Sequence, residues 1–443
     1  MNWKFPRAFW TANVVELFER AAHYAVFIAL TLYLTEVVGF DDIWAAWIAG
    51  VYSAGLYFLP PFTGATADAI GFRRAVILAF SLLTIGYSTL GAVPAKAAVL
   101  PALVILMVGG SFIKSIITGT VAKTTEAALR ARAFSIFYGM VNIGSFTGKS
   151  LAYPLRINLG LEAINFYAAG MTLLALVVVW LFYRNVDIHG EGKHVREVWE
   201  GFVRILKNGR LLSLIVIVTG FWIIQHQMYA TMPKYVLRTV GREASPEWIA
   251  NVNPLVVVTC VMAVTHLMRK ARAVTSITVG MFLMPLSALV MSSSPVVASI
   301  AGPMVLLPGG VQVHPVTVVL IGGIVLQGLG ECFISPRYLE FLSLQAPKGE
   351  EGLYLGFAHL HSFFSSLLGF GISGYLLSAY CPDPSTLDPG VAEHAYDRAN
   401  ILWYYFAAIG AVSAIALLIY ARVVAALDAS RHLSPTLEQG HGS

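Results

Sequence analysis

Twelve long apolar stretches, separated by short polar turns, occupy most of this chain: roughly 9–37, 43–67, 73–92, 97–124, 132–155, 161–183, 211–238, 247–269, 273–293, 315–343, 350–380 and 398–425. A bilayer core takes about 20 apolar residues per helix. Backbone groups cannot go unpaired in lipid, so runs of this length are read as spanning helices. A transmembrane β-barrel would need an alternating pattern that is absent here. Charge content agrees, since Asp, Glu, Lys and Arg make up only 12% of the chain, where about 25% is usual. The 57% of hydrophobic residues is more than one water-soluble core can bury. The expected fold class is an all-α polytopic membrane protein, and an ordinary soluble enzyme is excluded. The net charge of +5 calls for no nucleic acid, because membrane proteins concentrate Lys and Arg in cytoplasmic loops.

Lys4, Arg7, Arg73, Arg74, Arg130, Arg132, Arg184, Lys193, Arg196, Arg204, Lys207, Arg210, Arg269, Lys270, Arg272 and Arg422 fall on one side of the stack. By the positive-inside rule that side is cytoplasmic, with both termini. The opposite loops carry Asp41, Asp42, Glu243, Glu247, Asp383, Asp388 and Glu393, and Cys381 opens a polar loop among them. The one long cytoplasmic connection follows the sixth run. It predicts an N-terminal six-helix bundle over 1–184, a linker over 185–210, a C-terminal six-helix bundle over 211–425 and a cytoplasmic tail over 426–443. In the linker, Val195, Val198, Trp199, Phe202, Ile205 and Leu206 repeat at helical spacing, the pattern of a helix lying on the membrane or of a solvated linker helix. The basic N-terminus leads into a run interrupted by Glu16, Glu19 and Arg20, which suits no cleavable signal.

Charges inside spans demand partners or a wet cavity, because each costs about 2.5–3.5 kcal/mol at the centre of a helix. Glu16, Glu19 and Arg20, followed by Tyr24, lie three and four residues apart on adjoining stripes. They either face a bundle interior as a functional group or neutralise one another to set packing. Lys114 in the fourth run and Glu331 in the tenth lie about 23–26 Å deep at ~1.5 Å per residue, one in each half. An ion pair between them across a central cavity is expected, either breaking as the halves separate or acting as a static clamp. Tyr57, Asn142, Gln225, His226, Gln227 and Asn253 add neutral polar groups on the same spans, pointing to a solute cavity between the halves. Gly144 and Gly148 form a close-packing GxxxG. His266, His359 and His361 read as buried structural histidines, not metal ligands. No nucleophile motif, phosphate loop or ATP-binding sequence appears.

These motifs resemble a known family, the proton-dependent oligopeptide transporters of the major facilitator superfamily. Glu16-Leu17-Phe18-Glu19-Arg20 is similar to its ExxER signature, and Tyr24 to the second member of its tyrosine pair. Asp68, Gly71, Arg73 and Arg74 match the superfamily's loop between spans two and three, a glycine turn whose charges latch the inward-facing side. Gly110 to Lys114, Phe137-Tyr138 to Asn142 and Ser145, and Gly330-Glu331 to Pro336 resemble the fourth-, fifth- and tenth-span motifs. Phe221-Trp222 and Trp248 to Pro254 resemble those of spans seven and eight.

The resemblance implies twelve transmembrane helices in two six-helix bundles. It places Arg20 and Lys114 at a substrate carboxylate with Tyr24 and Tyr57, and Asn142, Asn253 and Glu331 at an amino end, with Trp222 and His226 also in the site. Glu16, Glu19, Arg20, Lys114 and Glu331 would carry proton coupling. Four positions depart from the family pattern. Phe27 stands in place of an Arg and His226 in place of a Glu, so one interhelical ion pair is missing. His23 replaces the first tyrosine, and Ala358 replaces a Trp, reshaping a side-chain pocket. The implied function is proton-coupled import of di- or tripeptides or similar zwitterions by a monomer in the cell membrane, the inner membrane in a bacterium. No metal or prosthetic cofactor is called for, protons being the coupling ion, and no enzymatic activity. The alternatives are a related carrier of a non-peptide organic solute, or a membrane receptor or enzyme.

Overall fold

The computed structural model describes residues 5–126, 129–183, 194–306, 310, 312–345, 357, 359–387 and 394–433. Ten of its helices are long and apolar enough to cross a membrane, and an eleventh crossing is the bent pair Asp42–Phe58 and Pro60–Ile70, which turns by 51°. The bend falls at Leu59, where Pro60 and Pro61 follow. Proline lacks the N–H that would continue the ladder and its ring crowds the preceding turn. The remaining long helix, Arg130–Leu159, has the length of a span at 30 residues, but Asn142, Lys149 and Arg156 dilute its apolar character.

In chain order the spans are Arg7–Val37, the bent pair, Phe72–Ala92, Lys96–Lys123, Arg130–Leu159, Leu161–Phe182, Gly209–Ala230 prolonged by Met232–Thr239, Pro246–Leu267, Ala273–Ser292, Pro315–Gln345, Leu360–Tyr380 and Ile401–Leu433. They are called the first to the twelfth below. A small hairpin, Val305–Leu306 against Gln312–Val313, joins the ninth to the tenth. Of the expected eleventh run, 350–380, residue 357 and residues 359–380 are described, the helix starting at Leu360. Ala358, Arg184, Lys193, Asp388 and Glu393 lie outside the described residues.

Small residues set how closely the spans approach. A Cβ at Gly144 would sit 2.7 Å from the Leu17 carbonyl oxygen, and one at Gly148 would meet the backbone of Ala21, so the GxxxG seats the first span directly on the fifth. The second and eleventh spans meet across the two halves in the same way. A Cβ at Gly50 would lie 2.9 Å from the Phe370 Cβ, and one at Gly374 would lie 2.8 Å from the Ala46 Cβ.

The linker helix Val195–Lys207 buries Val198, Gly201 and Ile205. Its Phe202 ring lies 5.4 Å from Phe58 and 5.3 Å from Phe357. Val198, Phe202 and Ile205 of its apolar stripe therefore dock on protein. Val195, Trp199 and Leu206 of the same stripe remain exposed.

The outer ends of the halves, away from the chain termini, are joined by buried ion pairs. Asp42, at the start of the second span, receives Lys234 Nζ at 2.7 Å on Oδ1 and Arg238 Nη1 at 2.7 Å on Oδ2. Arg238 also donates to the Cys381 carbonyl at 2.6 Å and pairs with Asp383 at 3.3 Å. On the other flank, Arg156 pairs with Glu247 at 2.5 Å, and Asn251 donates to Ser150 Oγ at 2.9 Å. Cys381, expected alone in a polar loop, is instead buried within the first of these clusters.

Candidate functional site

Glu16, Glu19 and Arg20 form one buried cluster on the first span. Arg20 Nε is 3.2 Å from Glu16 Oε1, and the guanidinium also pairs with Glu19. Their spacing of three and four residues places them on one helix flank. Glu16 Oε2 is buried without a hydrogen-bond partner. One turn later, the Tyr24 ring centroid is 5.9 Å from the Arg20 guanidinium carbon.

Lys114 on the fourth span is held by a consequence of the proline bend. Residue 60 would normally donate to the carbonyl of residue 56, and Pro60 has no N–H to give. Lys114 Nζ donates to that Leu56 oxygen at 3.2 Å and lies 3.8 Å from the centre of the Tyr57 ring. Both contacts are within the first half.

Glu331 is held from the second half by two amides. Gln225 Nε2 donates to its Oε2 at 3.1 Å and Asn253 Nδ2 at 3.3 Å. Among the described residues no ion pair joins Lys114 to Glu331, so the expected pair across the cavity is not formed. The physical reason is that each group is satisfied on its own side. Lys149 of the fifth span donates to the Ala250 carbonyl at 3.2 Å, three residues before Asn253.

Asn142, expected beside Glu331, donates to the Tyr138 carbonyl of its own helix at 2.8 Å. Trp222 stacks on His361 with centroids 5.1 Å apart, and its Nε1 is buried without a partner. His226 Nδ1 donates to the Trp222 carbonyl at 2.8 Å. That leaves Nε2 to accept from Ser366 Oγ at 3.2 Å, and Ser366 in turn meets Ser53 of the second span at 2.9 Å. Phe27 packs 4.8 Å from Tyr229 and 5.8 Å from Phe370. Ring packing and a hydroxyl relay thus occupy the place of the missing ion pair, with His23 stacked 5.3 Å from Phe27.

The loop between the second and third spans works within the first half. Gly71 takes φ +89°, a conformation that favours glycine. Asp68 pairs with Lys123 at 3.2 Å. Arg73 donates to the Tyr183 and Trp180 carbonyls at 2.9 and 3.1 Å, capping the end of the sixth span where a cation suits the helix dipole. Arg74 is exposed.

Two groups escaped sequence reasoning. Lys149 is 1% exposed. It lies seven residues beyond Asn142 and next to Gly148, so helical spacing alone could have placed it on the Asn142 stripe. The Asp42, Lys234 and Arg238 cluster gave no such signal, because its members are almost 200 residues apart and look like loop-edge charges.

Residues 13–310 match the family model of the Major Facilitator Superfamily. The chain belongs to that superfamily. Within it, the chain is 25% identical over 450 aligned positions to dipeptide and tripeptide permease B of Photorhabdus luminescens, covering 87% of this chain and 90% of that one. It is 23% identical over 400 residues to multidrug resistance protein MdtH of Photorhabdus laumondii, covering 89% of each. Its fold is similar to that of a POT family transporter in complex with a thioalcohol conjugated peptide, with a TM-score of 0.74 at 17% identity over 95% of this chain and 97% of that one. It is also similar to a peptide transporter POT in complex with sulfate, with a TM-score of 0.72 at 20% identity over 95% and 94%. The all-α superfamily fold is thus the one seen in POT family structures.

Proposed function

We propose that this protein carries di- and tripeptides or similar small zwitterions across the cell membrane by alternating access, coupled to protons and acting as a monomer with both termini in the cytoplasm. The observation that carries this reading is the separation of charge across the two halves. Arg20 and Lys114 sit on the first, where a ligand carboxylate can be bound, while Glu331 is held by Gln225 and Asn253 on the second, facing a ligand amine. Opposite charges held apart by protein suit a zwitterion, because each ligand end gains a charge-assisted hydrogen bond. Tyr24, Tyr57 and Tyr229 supply apolar faces between them. The likeness to dipeptide and tripeptide permeases agrees in substrate class.

Proton movement follows from the same groups. When a ligand carboxylate draws Arg20 away, Glu16 and Glu19 lose their counterion, and the buried, unpartnered Glu16 Oε2 is a place for a proton. Glu331 is the corresponding carboxylate on the second half. The test uses liposomes holding wild type, Glu19→Gln or Glu331→Gln, with labelled dialanine and an inward proton gradient. Wild type should accumulate peptide uphill. Both variants should lose accumulation, with Glu19→Gln retaining some gradient-free exchange. Full gradient-driven accumulation by both would remove them as proton carriers, and indifference of the wild type to the gradient would make it a facilitator.

A second reading, carriage of a non-peptide organic solute, is favoured by Phe27 and His226, which place ring packing where the resemblance implied an ion pair. In the same liposomes it requires that no peptide is moved.

A further inference from the structure

Among the described residues, Lys149 is the one buried cation of the central region that the charge arrangement above leaves unused. It lies on the fifth span, on the stripe shared with Tyr138, Asn142 and Ser145. Gly144 and Gly148, on the neighbouring stripe, clamp the helix to the first span, so the orientation of Lys149 is fixed by close packing. Its Nζ donates to the Ala250 carbonyl at 3.2 Å and lies 5.6 Å from the centre of the Tyr24 ring. Tyr24 therefore has Lys149 and Arg20 both within cation–π range of its ring. An ammonium has three N–H donors, and here one carbonyl and one ring face answer them. No carboxylate within 4 Å pairs with Lys149 among the described residues. Its acceptor, Ala250, lies three residues before Asn253, which together with Gln225 engages Glu331.

A lysine 99% removed from solvent without an anion in contact is costly unless something else completes its shell. The residues around it set what that is. Glu331 stands at the end of the site assigned to a ligand amine, so a group that pairs with Lys149 belongs to the same end of the ligand, and it must be anionic. Resting on the peptide reading, we infer that Lys149 is a third ligand-binding cation of the cavity, and that it selects peptides whose N-terminal residue carries an acidic side chain. The amine of such a peptide goes to Glu331 and its side-chain carboxylate to Lys149, while Arg20 and Lys114 keep the C-terminal carboxylate. The order of the residues matters: a peptide with the acid in second place presents its side-chain charge toward the wrong end.

The test is a binding and competition series on the full chain in detergent and in liposomes, comparing Glu-Ala, Ala-Glu and Ala-Ala. Wild type should bind Glu-Ala about tenfold tighter than Ala-Ala, which is ~1.4 kcal/mol, and tighter than Ala-Glu. In Lys149→Gln the preference for Glu-Ala should vanish or reverse, because Glu331 then faces the ligand acid with no cation between them. Lys149→Arg, which keeps the charge, should retain part of it. A purely structural lysine would weaken all three peptides together and leave their ratio unmoved. Dialanine binding with no preference for Glu-Ala in wild type would overturn the inference while leaving the peptide reading intact. So would a preference that survives in Lys149→Gln. Failure of all three peptides to bind wild type would overturn both. Should Lys149→Gln not fold, the wild-type ratio and Lys149→Arg still decide.

Discussion

Arg20→Ala and Lys114→Ala are each expected to weaken binding of a carboxylate-bearing peptide by about 30-fold to 1,000-fold. The range corresponds to the ~2–4 kcal/mol commonly lost when one partner of a desolvated charge pair is removed. The two variants should differ in stability, because the cations have different partners in the empty protein. Lys114 contacts a carbonyl and a ring, so its loss frees one acceptor and leaves no buried charge behind. Arg20 neutralises Glu16 and Glu19, and its removal strands two buried carboxylates. Arg20→Ala should therefore melt at a clearly lower temperature, and Arg20→Lys serves as the folded comparison. It keeps the charge but loses the planar fork that meets both acids. Calorimetry on the folded variants checks the claim. Unchanged peptide affinity in Lys114→Ala and Arg20→Lys together would mean that the carboxylate binds elsewhere.

The second large effect lies at the outer latch. Asp42→Asn leaves Lys234 and Arg238 buried with their shared anion gone, and breaking a buried pair in this way costs about 3–5 kcal/mol. The loss falls on one conformation, since Asp42 belongs to the first half and both cations to the second. The expected result is a shift toward states open at the outer end. Cys381 reports it. The thiol is fully buried beside this cluster, and burial pushes its pKa up to about 12, so at neutral pH it carries almost no reactive thiolate. In a background of Cys260→Ser and Cys332→Ala, an impermeant maleimide should leave Cys381 unlabelled in the wild type. It should label the Asp42→Asn protein at least about tenfold faster, the effect of ~1.4 kcal/mol in the opening equilibrium. Equal labelling and equal melting temperatures would show that the latch does not hold the outer end shut.

The legible part of this protein is the part written in local pattern. Helix number and length follow from apolar runs because lipid leaves the backbone no alternative to internal hydrogen bonds. The cluster of Glu16, Glu19 and Arg20 follows from helical spacing, since residues three and four apart meet on the same flank whatever the tertiary fold. The second run, 43–67, gave no expectation of the bend at Pro60 or of its consequence. That the orphaned Leu56 carbonyl captures Lys114 depends on how the fourth span lies against the second.

Partner choice across the halves was decided only in three dimensions. Equal depth in the membrane suggested that Lys114 and Glu331 meet, but depth is one coordinate of three. The rotation of each helix about its axis, set by close contacts such as those of Gly144 and Gly148 of the fifth span against the first, turns Lys149 toward the Ala250 carbonyl and the Tyr24 ring. Lys114 is satisfied instead by the Leu56 carbonyl and the Tyr57 ring. The linker helix announced an apolar stripe without naming what would cover it, and the covering side chains, Phe58 and Phe357, lie about 150 residues away on either side. Asp42, Lys234 and Arg238 looked like surface charges at loop edges until the halves closed over them. Sequence alone determined where the long helices run and that Glu16, Glu19, Arg20, Lys114 and Glu331 carry charge into them. Tertiary structure decided which charge faces which, because in a low-dielectric interior a buried ion needs partners, and those partners come from helices far apart in the chain.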